Sequence, residues 1–124
     1  SLHMNSASNR SANGMEVYYA KSNNRVTDTG LSSQKLARKM HDRLENNLTI
    51  PSRGVKKAEF YVLRHNTVPS ILIELGFISG NRDTTRSRLR HIRRRQHRIF
   101  TKGLQTYLKH ILPDGRKHGD IFSR

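Results

Sequence analysis

Two residues carry the chemistry most open to argument: a carboxylate inside an apolar run, and a histidine where a strand meets a loop. Glu74 stands within Ser70-Ile71-Leu72-Ile73-Glu74-Leu75-Gly76-Phe77, a short apolar run of the kind found in a strand covered on both faces. Its carboxyl either reaches solvent at the strand's end or is kept in a partly dry pocket, where desolvation raises its pKa toward neutrality. The second case is what a general base needs to take a proton from water near neutral pH and pass it to a leaving amine. His3 follows Leu2 and precedes mostly small polar residues, and the junction of strand and loop is a common address for functional groups in α/β proteins. It could supply one imidazole to a catalytic zinc, which takes three protein ligands and keeps an open position for water. Spacing offers it no partner pair. His41 falls on a helix face, His65 in a turn, and His91, His97, His110 and His118 among basic residues. Ser1, Ser6, Ser8 and Ser11 lie near His3 but in no Gly-x-Ser-x-Gly elbow, so a serine nucleophile is set aside.

The charge balance points to partners rather than to a reaction. Twenty-four Lys and Arg stand against nine Asp and Glu, a net +15, which favours polyanions such as nucleic acid, anionic lipid or a cell-wall phosphate polymer. Arg86, Arg88, Arg90, Arg93, Arg94, Arg95 and Arg98 form the densest run. Such a run could track a phosphate backbone, but Leu89, Ile92, Gln96, Ile99 and Gly103 keep a helical stripe through it, which reads as a solvated face. The nearby aromatics, Phe100 and Tyr107, belong to that stripe, so no specific nucleic-acid platform is expected. The absence of cysteine excludes a disulfide framework, a thiolate zinc site and a cysteine nucleophile.

These groups need elements to position them. The chain has 124 residues, 33% of them apolar, about one domain with a lean core. No apolar run approaches the ~20 residues that cross a bilayer, and the opening residues lack the order of a signal peptide. Residues 1–5 read as the end of a strand, 6–14 as a polar loop, 15–19 as a half-buried strand and 21–30 as a second loop. Leu36, Ala37, Met40, Leu44 and Leu48 recur every three or four residues, one stripe of an amphipathic helix over 31–48. Ser32 or Ser33 would cap it, and Pro51 prevents its continuation. Residues 52–57 read as a basic turn, 60–63 as a β-rich strand and 70–77 as the buried strand. A last helical stripe covers 85–112 and stops at Pro113-Asp114-Gly115, before a loose tail. The pattern predicts an α/β domain over 1–112, a mixed sheet covered by amphipathic helices, and a polar basic tail over 113–124.

Five segments in order, Ser1-Leu2-His3-Met4-Asn5, Gly14-Met15-Glu16-Val17-Tyr18-Tyr19, Arg53-Gly54-Val55-Lys56, Phe60-Tyr61-Val62-Leu63-Arg64 and Pro69-Ser70-Ile71-Leu72-Ile73-Glu74-Leu75-Gly76-Phe77-Ile78-Ser79, resemble the zinc-dependent N-acetylmuramoyl-L-alanine amidases. These bacterial hydrolases cut the amide between N-acetylmuramic acid and the L-alanine of the peptidoglycan stem. The resemblance implies that His3 is a zinc ligand, that Glu74 is the catalytic glutamate acting on the zinc-bound water, and that the protein works outside the cell or at the wall. Peptidoglycan is then the expected partner, with an anionic wall polymer as a second one favoured by the positive charge. The family's other ligands, a His in a Gly-His-Gly motif and a Glu, lie upstream of the segment matching Ser1. The sequence therefore reads as the C-terminal part of a truncated amidase catalytic domain, and one imidazole alone implies a piece that is inactive by itself. A catalytically dead wall-binding module and a basic nucleic-acid binder are the alternatives. The arginine-rich run and Gly80 depart from the family pattern.

Overall fold

A computed structural model describes residues 1–23 and 25–80. The helical stripe over 85–112, its arginine-rich run, the stop at Pro113 and the tail all lie outside the described residues. Within them the order is β1 (Leu2–Asn5), β2 (Met15–Tyr19), α1 (Ser33–Glu45), β3 (Ser52–Lys57), α2 (Tyr61–Arg64) and β4 (Leu72–Phe77). The four strands form one mixed sheet in the order β1-β4-β2-β3. β4 runs parallel to β1 and antiparallel to β2, while β2 and β3 are parallel. The expected α/β fold with a mixed sheet is what the chain adopts.

One face of the sheet buries the main core. Ala37, Met40 and Leu44 on α1 pack with Met15, Val17 and Tyr19 of β2 and Ile73 and Leu75 of β4. These strand residues alternate, as the two-residue period of a strand requires. Ser32 caps α1 by accepting from the Lys35 amide at 3.2 Å, which satisfies one of the donors a helix start leaves open. Ser33 is instead buried, and its hydroxyl accepts from the Ser70 amide at 3.0 Å, tying the helix start to the approach to β4.

Three sequence expectations fail. Residues 15–19 are not half-buried: β2 is covered on both faces, by the core on one and around Glu16 on the other. Residues 52–57 form the edge strand β3 rather than a turn. Gly54 has φ +83° and the lysines are the charges that keep an edge from pairing with other chains; both are also turn signals, which is why the segment reads as one. Residues 60–63 are not a strand, because a single helical turn, α2, spans Tyr61–Arg64. Leu63 alone is buried, while Phe60, Tyr61 and Val62 are exposed, a one-in-four pattern no strand can give. Leu63 packs with Ala20 and Leu72 on the sheet face away from α1. The Asn23 amide donates to the carbonyls of Leu63 at 2.9 Å and Val68 at 3.2 Å, closing the turn's end.

Candidate active site

Three ionisable side chains line up across the sheet on the face that α1 leaves open. Glu74 on β4 is the register partner of His3 on β1 and of Glu16 on β2, and residues paired across neighbouring strands project to the same face. Glu74 is 9% exposed, and its Oε2 is buried with no hydrogen-bond partner among the described residues. Burial, with the negative charge of Glu16 adding to it, pushes its carboxyl up to about 7. Of the two readings open to the sequence, the structure takes the partly dry pocket.

Glu16 is treated in the opposite way. It is more deeply buried than Glu74, which alone would raise its pKa, yet four side chains donate to it. Arg53 Nε reaches Oε1 at 2.7 Å and Lys56 Nζ at 2.5 Å; Tyr18 Oη reaches Oε2 at 2.5 Å and Asn5 Nδ2 at 3.0 Å. The donors outweigh burial and hold Glu16 at about 2, and burial together with the same bond drives the Tyr18 phenol upward. Glu16 is therefore a fixed anion, and Glu74 beside it is a carboxyl that changes charge near neutrality. Environments that push two carboxyls apart in this way assign them different tasks.

Glu16, Arg53 and Lys56 are the residues that sequence reasoning missed. Their signal was present in Met15-Glu16-Val17-Tyr18-Tyr19, where a carboxylate and a phenol alternate with core residues. Reading 52–57 as a turn hid the cations that answer Glu16. His3 sits at the exposed end of β1 with its Nε2 against the Ser1 hydroxyl. His65 stacks on Tyr61, 4.1 Å between centroids. His41 bonds Ser52 through Nε2 at 2.6 Å and lies 3.5 Å from Asp42 and 3.9 Å from Glu45 through Nδ1. That trio could hold a metal ion, but it belongs to α1, on the other side of the sheet from Glu74.

A family model described as N-acetylmuramoyl-L-alanine amidase matches residues 1–106. The chain belongs to that family. It is similar to the N-acetylmuramoyl-L-alanine amidase LytC of Bacillus subtilis, 36% identical over 86 residues, which are 69% of this chain and 16% of LytC. It is also similar to the probable cell wall amidase LytH of Staphylococcus saprophyticus, 31% identical over 110 residues, 86% of this chain and 34% of that protein. Among solved structures, the amidase AmiC2 of Nostoc punctiforme superposes with a TM-score of 0.61 at 35% identity, covering 84% of this chain and 56% of that one. The chain thus spans a part of each relative. Family members are zinc-dependent peptidoglycan hydrolases. On this face Glu16 is committed to its four donors, and His3 carries an imidazole, one of the groups from which the three protein ligands of a catalytic zinc are drawn. Among the described residues, no group of three His, Asp or Glu side chains on this face lies close enough together to hold a metal ion.

Proposed function

We propose that the protein hydrolyses the amide between N-acetylmuramic acid and L-alanine in peptidoglycan, with Glu74 as general base and then general acid. The observation that carries this reading is the buried, unbonded Oε2 of Glu74, one strand away from His3 on the open face of the sheet. A carboxyl balanced near 7 is present in both forms at neutral pH, so it can accept a proton from the attacking water and release it to the departing alanine amine. Transfer to nitrogen makes the amine a neutral leaving group. Glu16 supports this by placing a constant negative charge next to Glu74, which raises the affinity of Glu74 for the proton. His3 would be one of the ligands of the family's zinc in the complete domain. The net +15 would hold the protein at an anionic cell wall, the location its relatives' names indicate.

The test is product analysis. Purified peptidoglycan treated with the full-length protein and zinc should release stem peptides that begin with a free L-alanine amine, leaving lactyl groups on the glycan. Cleavage within the stem or the glycan instead would overturn the assignment. Retention on purified walls that does not weaken with salt would contradict the electrostatic part.

A further inference from the structure

We infer that Arg53 is a specificity residue on the Glu74 face, receiving the carboxylate of the stem-peptide residue that follows L-alanine. The inference rests on the amidase reading above and deepens it. Arg53 reaches back from β3 across β2 and is fixed at two points. Its Nε donates to Glu16 at 2.7 Å, and its Cζ lies 5.1 Å from the centroid of the Phe77 ring. Phe77 belongs to β4, the strand of Glu74. The register shift between His3 and Asn5 makes Phe77 the partner of Asn5, so the ring comes onto the same face as Glu74. The guanidinium therefore lies over the end of the strand that carries Glu74, and the Arg53 side chain is 40% exposed.

Binding Glu16 through Nε leaves the two terminal amines of the guanidinium, the pair whose spacing matches a carboxylate. Among the described residues no hydrogen bond or ion pair engages them. The local charge also asks for an anion. Arg53 and Lys56 share the single carboxylate of Glu16, so those three side chains carry one positive charge in excess beside the open face while Glu74 is protonated.

The distances suit one substrate group. With the scissile nitrogen of L-alanine at Glu74, a carboxylate on the next residue lies one extended residue away, ~4–6 Å along the peptide. The neighbouring strand β2 lies ~4.8 Å from β4, so a stem peptide crossing toward β2 brings that carboxylate to the exposed guanidinium of Arg53, with Glu16 buried beneath it. In a stem where the second residue is amidated, the carboxylate is replaced by a neutral carboxamide and the fork loses its charged partner.

The experiment compares two dipeptides of L-alanine and D-glutamate whose γ-carboxyl is capped as an amide, one with a free α-carboxylate and one with an α-amide, titrated into the full-length protein and followed by NMR chemical shifts. The wild type is expected to bind the carboxylate form about five- to tenfold more tightly, and Arg53→Gln to bring the two within about twofold. Arg53→Lys keeps a cation opposite Glu16, so it guards against loss of fold, and lacking the planar fork it should also lose most of the preference. Equal binding of both peptides by the wild type, or an unchanged preference in the folded Arg53→Lys, would overturn the inference. Hydrolysis of the matching muramoyl peptides is measured alongside. Preference without cleavage at the muramoyl amide supports the carboxylate site and removes the amidase reading; cleavage without preference removes the carboxylate site alone.

Discussion

Replacing Glu74 by glutamine should stabilise the protein while abolishing its proposed chemistry. Glutamine copies the shape of the protonated carboxyl but has no charge to desolvate. Raising a carboxyl from 4.5 to about 7 costs ~3 kcal/mol of folding free energy at alkaline pH if the charge is fully shielded from water. Solvent reaching the open face reduces this, so the expected gain for Glu74→Gln is ~1.5 kcal/mol at pH 8.5, or ~5 °C in melting temperature for a domain of this size. The sign follows from proton binding. Between pH 4.5 and 7 the folded state holds a proton on Glu74 that the unfolded state has lost, so this residue's contribution falls as pH rises through that window and is level above it. Urea titrations of both proteins at pH 4, 5, 6, 7 and 8.5, with zinc chelated, should give a gap in favour of the variant that widens from pH 4.5 to 7 and is level above it. A variant no more stable than the wild type at pH 8.5, or a gap that is constant with pH, would refute the desolvation argument.

Four further outcomes follow from the structure. Glu16→Gln should lose ~1–2 kcal/mol at neutral pH by leaving Arg53 and Lys56 without their anion; because the folded carboxyl sits at about 2, its stabilising effect is full above pH 4.5 and disappears as pH falls through 2, so the gap to wild type should close in acid denaturation. The same variant should lower the midpoint of Glu74, read from its side-chain carboxyl carbon by NMR, since it removes the neighbouring charge but not the burial. Gly14 has φ +107° and an added Cβ would lie 2.5 Å from the Pro51 carbonyl oxygen, the atom that receives the Met15 amide; Gly14→Ala should therefore cost ~2–3 kcal/mol in urea denaturation, against ~1 kcal/mol for Gly54→Ala, whose φ is +83° with nothing within 4 Å. Leu44→Ala, at 1% exposure on the buried face of α1, should cost ~2–5 kcal/mol.

What could be read from the sequence follows from how local the signals are. α1 was legible because Ala37, Met40 and Leu44 repeat with the helical period and Ser32 stands at the cap. β4 was legible because its residues are buried on both faces, which leaves an unbroken apolar run around Glu74. Edge strand β3 was not, since an edge is marked by the charges and glycine that also mark turns. α2 was misread because Phe60, Tyr61 and Val62 have side chains that favour strands, while tertiary packing of Leu63 alone decided the outcome. At the site, Glu74 stood out as a polar residue in apolar surroundings. Glu16 did not, because its importance comes from Arg53 and Lys56, which approach it across a parallel strand pair that no local pattern announces. His3 had no partner in spacing for the same reason, since β1 and β4 are joined in space across about seventy residues of chain.

The central claim is that Glu74 moves the proton in amide hydrolysis, and the rate of appearance of free L-alanine amino termini from peptidoglycan tests it directly. With zinc-loaded full-length protein at pH 7.5, Glu74→Gln should be slower than wild type by about 100-fold or more, with its zinc content and fold unchanged. A folded, zinc-loaded Glu74→Gln protein that releases those termini within a few-fold of the wild-type rate would contradict the account.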